Sequence, residues 1–390
     1  MHEQRKLVTA APENSETPID DVRSWVTPNR LFFVRNHFAM PAIHLDGWRL
    51  RVGGAVRQPL ELTWDDITSL PERTVFATME CAGNGRSFLS AKQPGVPWGA
   101  GAVGHAEWTG VPLHVVLQKA GLKPGIREIV FEGHDAGTEP DHPQTMHFAR
   151  SLPLDKALDP DTLLAYRMNG ETLEASHGFP LRLLVPGWYG VASVKWLKSI
   201  EASEQPFRGY FQTVKYTIQR VTGRGQEMIV VGPMAVKSEI VRPRAGETLG
   251  IGTNRLFGVA WAGPDAVAGI EISSDGGRSW TEAQLIGPRA PYSWTMWEYL
   301  WEVAEPGDYT LVARATSTGG HVQPARHDVA NGGYQIHFSR SRAVRVERTR
   351  RIIDQHATAD MLQYDMNAFA EDNSRLPLDV ALAFESGEGI

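Results

Sequence analysis

Near residue 235 the patterning of this chain changes, and that change limits the folds open to it more than any other feature. Before it, from about residue 20 to about 230, short apolar runs are interrupted by Gly, Pro and Trp. After it, to about residue 348, apolar and polar residues alternate in short stretches bounded by turn residues. A period of two marks strands with one buried face. Ile270 and Ile272 alternate with Glu271 and Ser273 ahead of Asp275-Gly276-Gly277, a hairpin signal. Tyr309, Leu311, Ala313 and Ala315 repeat the pattern, and Trp297, Tyr299 and Trp301 mark another strand face. This half reads as a β-sandwich.

The first half mixes element types. Val75–Met79 reads as a strand leading toward Cys81, and Pro112–Gly121 as a helix with Pro near its start and Gly after its end. Glu128–Glu132 and Leu181–Val185 read as strands. The expected class is α+β, with much irregular structure. A length of 390 residues allows two or three domains of about 150 each. We divide the chain into a polar, mobile segment 1–20, a first domain 21–232, a second domain 233–350 and a tail 351–390. In the tail, Ala359–Phe369 has helical spacing, and the end is acidic.

Composition narrows the function classes. No apolar run approaches the roughly 20 residues that span a bilayer, so no membrane partner is expected. The first residues lack the apolar core of a signal peptide, and one cysteine suits a reducing compartment; the expected location is cytoplasmic. A net charge of -6 argues against nucleic acid as a partner. An anionic substrate would need a local cationic cluster to offset that field. Arg35, Arg86, Arg182 and Lys195 are the candidates.

Cys81 is the only cysteine, so no internal disulfide forms. A thiolate is both a soft metal ligand and a strong nucleophile. Cys81 sits among Ala82, Gly83, Asn84 and Gly85, which let a bulky group approach the backbone, and Arg86 follows five positions on. Those residues alone leave two readings open: a ligand or nucleophile, or a small buried hydrophobe.

Cys81-Ala82-Gly83-Asn84-Gly85-Arg86 resembles the molybdenum-ligand loop of the sulfite oxidase family. Phe33-Val34-Arg35-Asn36-His37 and His177-Gly178-Phe179-Pro180-Leu181-Arg182 are similar to its first two pterin-binding loops, and Pro186–Leu197 to its third. Ser274–Trp280 resembles a hairpin of its second domain. The resemblance spans about residues 20–350, with the five motifs in the family's order. It implies a molybdopterin-binding domain followed by an immunoglobulin-like dimerisation domain, hence a homodimer, for which the Trp297, Tyr299 and Trp301 run is the expected contact.

The resemblance also assigns roles. Cys81 would ligate molybdenum. Arg35 and Arg86 would bind an oxyanion through planar forks of donors. Phe33, Val34, Arg35, Asn36, His37, Asp135, His177, Arg182, Ser193, Val194 and Lys195 would hold the pterin and its phosphate. Tyr216 matches the family's active-site tyrosine, although Lys215 stands where an acidic residue is usual, and Tyr210 is the alternative match. Either phenol could donate a hydrogen bond or relay a proton.

Two literal motifs read as loops instead. Gly99-Ala100-Gly101-Ala102-Val103-Gly104 lacks the preceding strand and following helix of a dinucleotide site. His134-Asp135, Asp141-His142 and His147 match no compact zinc spacing and read as a polar surface loop. The implied activity is oxidation of sulfite to sulfate, with two electrons passing to an external acceptor, a cytochrome or oxygen; no haem segment precedes the molybdenum domain. Gly85 replaces an arginine of the family motif, which makes the pocket less cationic and raises an alternative, a sulfane dehydrogenase acting on protein-bound sulfur. Nitrate reduction is a weaker reading without a haem or flavin segment, and a non-catalytic scaffold would hold no metal.

Overall fold

The computed structural model describes residues 4–223 and 225–350, so the helical spacing of Ala359–Phe369 lies outside the described residues. The first unit is built from two five-stranded sheets. One runs Glu171–Thr172, Leu163–Met168, Val103–Pro112 and Arg73–Glu80, with Arg182–Leu184 also pairing to Leu163–Met168. The other runs Leu60–Leu62, Leu50–Gly54, Leu197–Ser203, Glu128–Glu139 and His142–Pro153. Strand Val103–Pro112 is buried at every position, although it carries His105, Glu107 and Thr109. Both its faces are covered, so its polar groups need internal partners. His105 has them: Trp25 O at 2.6 Å and Ser293 Oγ at 3.0 Å. Burial lowers its pKa to about 3 and keeps it neutral.

Helices are few and short among the described residues, so the first unit is more β-rich than the α+β expectation. The expected helix forms over Leu113–Ala120. Leu113, Val116, Leu117 and Ala120 make its buried stripe, and Gly121 ends it at φ +68°. The N-terminal segment also departs from expectation. Lys6–Ala10 and Glu13–Glu16 form a hairpin, and Asn14, Ser15, Glu16 and Thr17 are buried. Polar composition suggested mobility there, yet these polar groups bind backbone of the first unit.

The second unit is a seven-stranded sheet in the order Lys237–Arg242, Thr248–Trp261, Thr295–Val303, Thr281–Ile286, Val267–Ser273, Gly307–Ser317, Ser341–Arg350. Strand Thr248–Trp261 also pairs in parallel with Ser341–Arg350, so the hydrogen-bonded path returns on itself. The hairpin after Ile272 turns at Gly276 and Gly277, both at positive φ. Trp297 and Trp301 face inward and are buried. That corrects their expected place in a subunit contact: each fills this unit's own core, and Trp297 Nε1 donates to Ser238 Oγ at 3.0 Å. The two units are joined by a reciprocal pair, Trp25 Nε1 to Trp294 O at 3.2 Å and Trp294 Nε1 to Trp25 O at 2.7 Å.

Candidate active site

Cys81 follows directly on strand Arg73–Glu80. Its N–H donates to Ala102 O at 2.9 Å, and its carbonyl accepts from Asn84 N at 2.9 Å, closing a tight turn. Gly85 continues that turn at φ +97°, where a β-carbon would be strained and would stand 3.2 Å from Ile336. A glycine rather than an arginine at this position therefore suits the local backbone. Cys81 is buried and lines a cleft that encloses about 640 Å³ including its mouth.

One side of that cleft is cationic. Arg182 is buried, donating to His177 O at 2.9 Å and Ser193 O at 3.1 Å and lying over the Trp108 ring at 5.0 Å. Burial lowers its pKa to about 9. Lys195 Nζ donates to Asn36 Oδ1 and to Ser176 O at 2.9 Å, and lies 4.1 Å from the Trp196 ring. Burial, then Arg182, holds Lys195 well below the usual lysine range. His177 Nε2 lies 3.2 Å from Asn29 O, and burial lowers its pKa to about 3, so it stays neutral. Ser193 Oγ accepts from Val185 N at 3.1 Å.

The carboxylate of the cleft is placed by a bulge. The pairing of Glu128–Glu139 with His142–Pro153 slips between Glu132 and Ala136, which turns Asp135 into the cleft. Gly133 permits it, because a β-carbon there would stand 2.5 Å from Asp135 Oδ1. Oδ1 of Asp135 is buried without a partner among the described residues, and burial raises the Asp135 pKa to about 7 against the opposing pull of Lys195. The expected surface loop over residues 134–147 is thus two paired strands, with Asp135 facing inward.

Arg35, His37 and Tyr216 complete the wall. His37 Nε2 and the Tyr216 hydroxyl share a hydrogen bond of 2.6 Å. Burial, then the Arg35 charge, lowers the His37 pKa well below its ordinary value, whereas burial raises that of Tyr216. The phenol therefore keeps its proton and the imidazole stays neutral. Tyr216 sits at φ +58°, a costly conformation for a non-glycine residue, of order 1–3 kcal/mol. Arg150, fully buried, braces it: Nη2 donates to Val231 O at 2.9 Å, and Val231 N donates to Tyr216 O at 2.8 Å. Tyr210 is elsewhere, bonded to Asp141 at the surface.

The cleft thus gathers Phe33, Val34, Arg35, His37, Cys81, Asp135, His177, Arg182, Ser193, Lys195 and Tyr216. Asn36 and Val194 do not line it; Asn36 acts from behind, through Lys195, and Val194 packs in the core. Arg86 differs most from expectation. Its guanidinium lies against Gly83 and Gly95 and donates to Val96 O at 2.7 Å and Gly333 O at 2.9 Å. It holds the Cys81 loop to the second unit and does not reach the cleft. Ser176, Trp196 and Met79 also line the cleft without having been expected there. Arg150, which braces Tyr216 from behind, was missed too, because a lone buried arginine in a strand carries no local signal.

The donor set fits a molybdopterin. Cys81 offers a soft ligand, three cations face one carboxylate, and the orphan Asp135 oxygen can accept from an amino group. Two family models match this chain: one described as an oxidoreductase molybdopterin binding domain over residues 37–211, the other as a Mo-co oxidoreductase dimerisation domain over 228–333. Sulfite oxidase from Gallus gallus is 35% identical over 347 residues, covering 83% of this chain and 73% of that protein. Mitochondrial sulfite oxidase from Homo sapiens is 34% identical over 342 residues, and there the chain spans 62% of the relative's length. The crystal structure of sulfane dehydrogenase SoxCD from Paracoccus pantotrophus superposes with a TM-score of 0.75 at 28% identity, covering 88% of this chain and 90% of that one.

Proposed function

Since this chain belongs to the sulfite oxidase family of molybdopterin-dependent oxidoreductases, we propose that it oxidises a small sulfur oxyanion, sulfite first, to sulfate. The protein is a molybdenum oxidoreductase, and its cofactor is molybdenum-molybdopterin. When bound, the cofactor supplies the two-electron couple and the transferable oxygen. Overall, sulfite and water become sulfate, two protons and two electrons, and the electrons pass to an external acceptor such as a cytochrome or oxygen.

The observation that carries this reading is the grouping of a lone cysteine with three cations and one carboxylate in one cleft. In the proposal, Cys81 is the metal ligand. Arg182, Lys195 and Ser193 bind the phosphate, with Asn36 orienting Lys195. Asp135 and His177, with the Phe33–His37 loop, bind the pterin edges. Arg35, rather than Arg86, binds the oxyanion, because Arg86 is committed to backbone carbonyls. Tyr216, neutral and bonded to His37, holds a proton at the reacting oxygen. The second unit is read as immunoglobulin-like and as the homodimer contact, and the setting as cytoplasmic. Sulfite-dependent reduction of cytochrome c or oxygen by molybdenum-loaded protein tests the activity; no turnover with any acceptor would reject sulfite.

One second reading has a specific basis. The SoxCD likeness, with Gly85 and the withdrawn Arg86, leaves fewer cations at the substrate end and favours a protein-bound sulfane chain. Turnover of a persulfidated carrier protein without turnover of sulfite would select it.

A further inference from the structure

Residues 13–17 run beside the Phe33–His37 loop as its pairing partner. Ser15 N donates to Val34 O at 3.0 Å, and Val34 N returns to Ser15 O at 2.8 Å. Thr17 Oγ1 accepts from Phe33 N at 3.1 Å. Thr17 N donates to Gly101 O at 2.9 Å, next to Ala102, whose carbonyl accepts from Cys81 N at 2.9 Å. This short strap therefore touches both the loop that carries Arg35 and the stretch that anchors Cys81.

Within the strap, Asn14 is 1% exposed. Its Oδ1 accepts from Asn36 N at 2.8 Å and from Arg35 Nη1 at 3.3 Å. Its amide nitrogen donates to Thr9 Oγ1 at 2.8 Å and Pro12 O at 3.0 Å. Both ends of the amide are thereby assigned, and the oxygen is locked toward Arg35. Arg35 Nη1 also donates to Asn36 O. Both bonds use Nη1, so among the described residues Nε and Nη2 stay available to a ligand in the cleft.

We propose that Asn14 is the positioning residue for Arg35: it fixes the guanidinium through a neutral acceptor and so leaves its full charge for the substrate oxyanion. This rests on the reading above, in which Arg35 binds that oxyanion. A carboxylate at residue 14 would hold the same nitrogen while competing with the anion for its charge. An aliphatic residue would leave the guanidinium held by Asn36 O alone.

The test uses molybdenum-loaded Asn14→Asp, Asn14→Leu and Arg35→Gln, matched for metal content and thermal midpoint. Sulfite KM and kcat are measured, along with sulfate affinity by titration calorimetry, which needs no turnover. Both Asn14 variants should weaken sulfate binding and raise KM by about tenfold, with kcat changed less than about threefold. A merely structural role would lower kcat in the metal-matched protein and leave sulfate affinity unchanged. If Asn14→Leu does not fold, the isosteric Asn14→Asp decides alone. Unchanged sulfate affinity and KM in the folded Asn14 variants, beside a clear loss in Arg35→Gln, overturns the proposal. Unchanged sulfate affinity in Arg35→Gln itself overturns the reading beneath it.

Discussion

Lys237 Nζ donates to Glu80 Oε1 at 3.0 Å, with each side chain 2% exposed, and the pair joins the second unit to the residue preceding Cys81. Glu80 also accepts from Asn84 Nδ2 at 3.0 Å and from Trp261 Nε1 at 2.9 Å, so both its oxygens are occupied. Lys237 donates further to Ile336 O at 2.9 Å. Removing one member of such a pair strands a buried charge, a loss of about 3–5 kcal/mol. Lys237→Met should therefore lower the unfolding midpoint sharply, and adding Glu80→Gln should recover part of the loss. Chemical denaturation of the single and double variants measures both; additive losses would show the pair to be uncoupled.

Cys81→Ser should keep the fold, because the side chain is small and its loop is held by backbone bonds. Hydroxyl is a hard, poorly ionised donor, so molybdenum content and the thiolate-to-metal absorption should both fall away, and turnover with them. Metal analysis beside circular dichroism separates that from unfolding.

Tyr216→Phe should lower kcat on the order of 10²-fold, through loss of a positioned proton donor. Tyr210→Phe should leave kcat unchanged, since its hydroxyl meets Asp141 at the surface. Steady-state kinetics of the two variants settles which tyrosine serves the site.

Asp135 gives a pH signature in the cofactor-free protein. Burial raises its folded pKa to about 7, above the ordinary aspartate value of 3.8, so the folded state binds the extra proton. Its contribution to stability is full below about pH 4 and is lost as pH rises toward about 7. Asp135→Asn should flatten that part of the curve and gain stability over wild type near pH 8. Thermal midpoints between pH 4 and 8 follow it; identical slopes in the two proteins would exclude the effect.

The site was legible wherever chemistry is written in consecutive residues. Cys81 with its small neighbours, Phe33–His37 and His177–Arg182 all stand as local strings, and Cys81, Phe33, Arg35, His37, His177 and Arg182 from them meet in the cleft. Residues whose work depends on distant pairing were not legible. Asn14 gains meaning only when it lies against Arg35 and Asn36, and Lys237 only when its strand meets Glu80. Arg86 was misplaced for the same reason: Gly333 and Val96, which capture it, come from other segments. Alternation located the strands of the second unit but gave no sign that Trp297 and Trp301 point inward, because period-two patterning names two faces without saying which is buried.

The contact of Glu80 and Arg86 with Lys237, Ile336 and Gly333 also bears on descent. A part whose matched family description concerns subunit pairing closes the rear of the Cys81 loop. Recombination that exchanged it for an unrelated β-domain would leave an uncompensated carboxylate at Glu80, directly beside Cys81. The two halves are thus bound to be inherited together, and substitutions at positions 80 and 237 should track one another through the lineage.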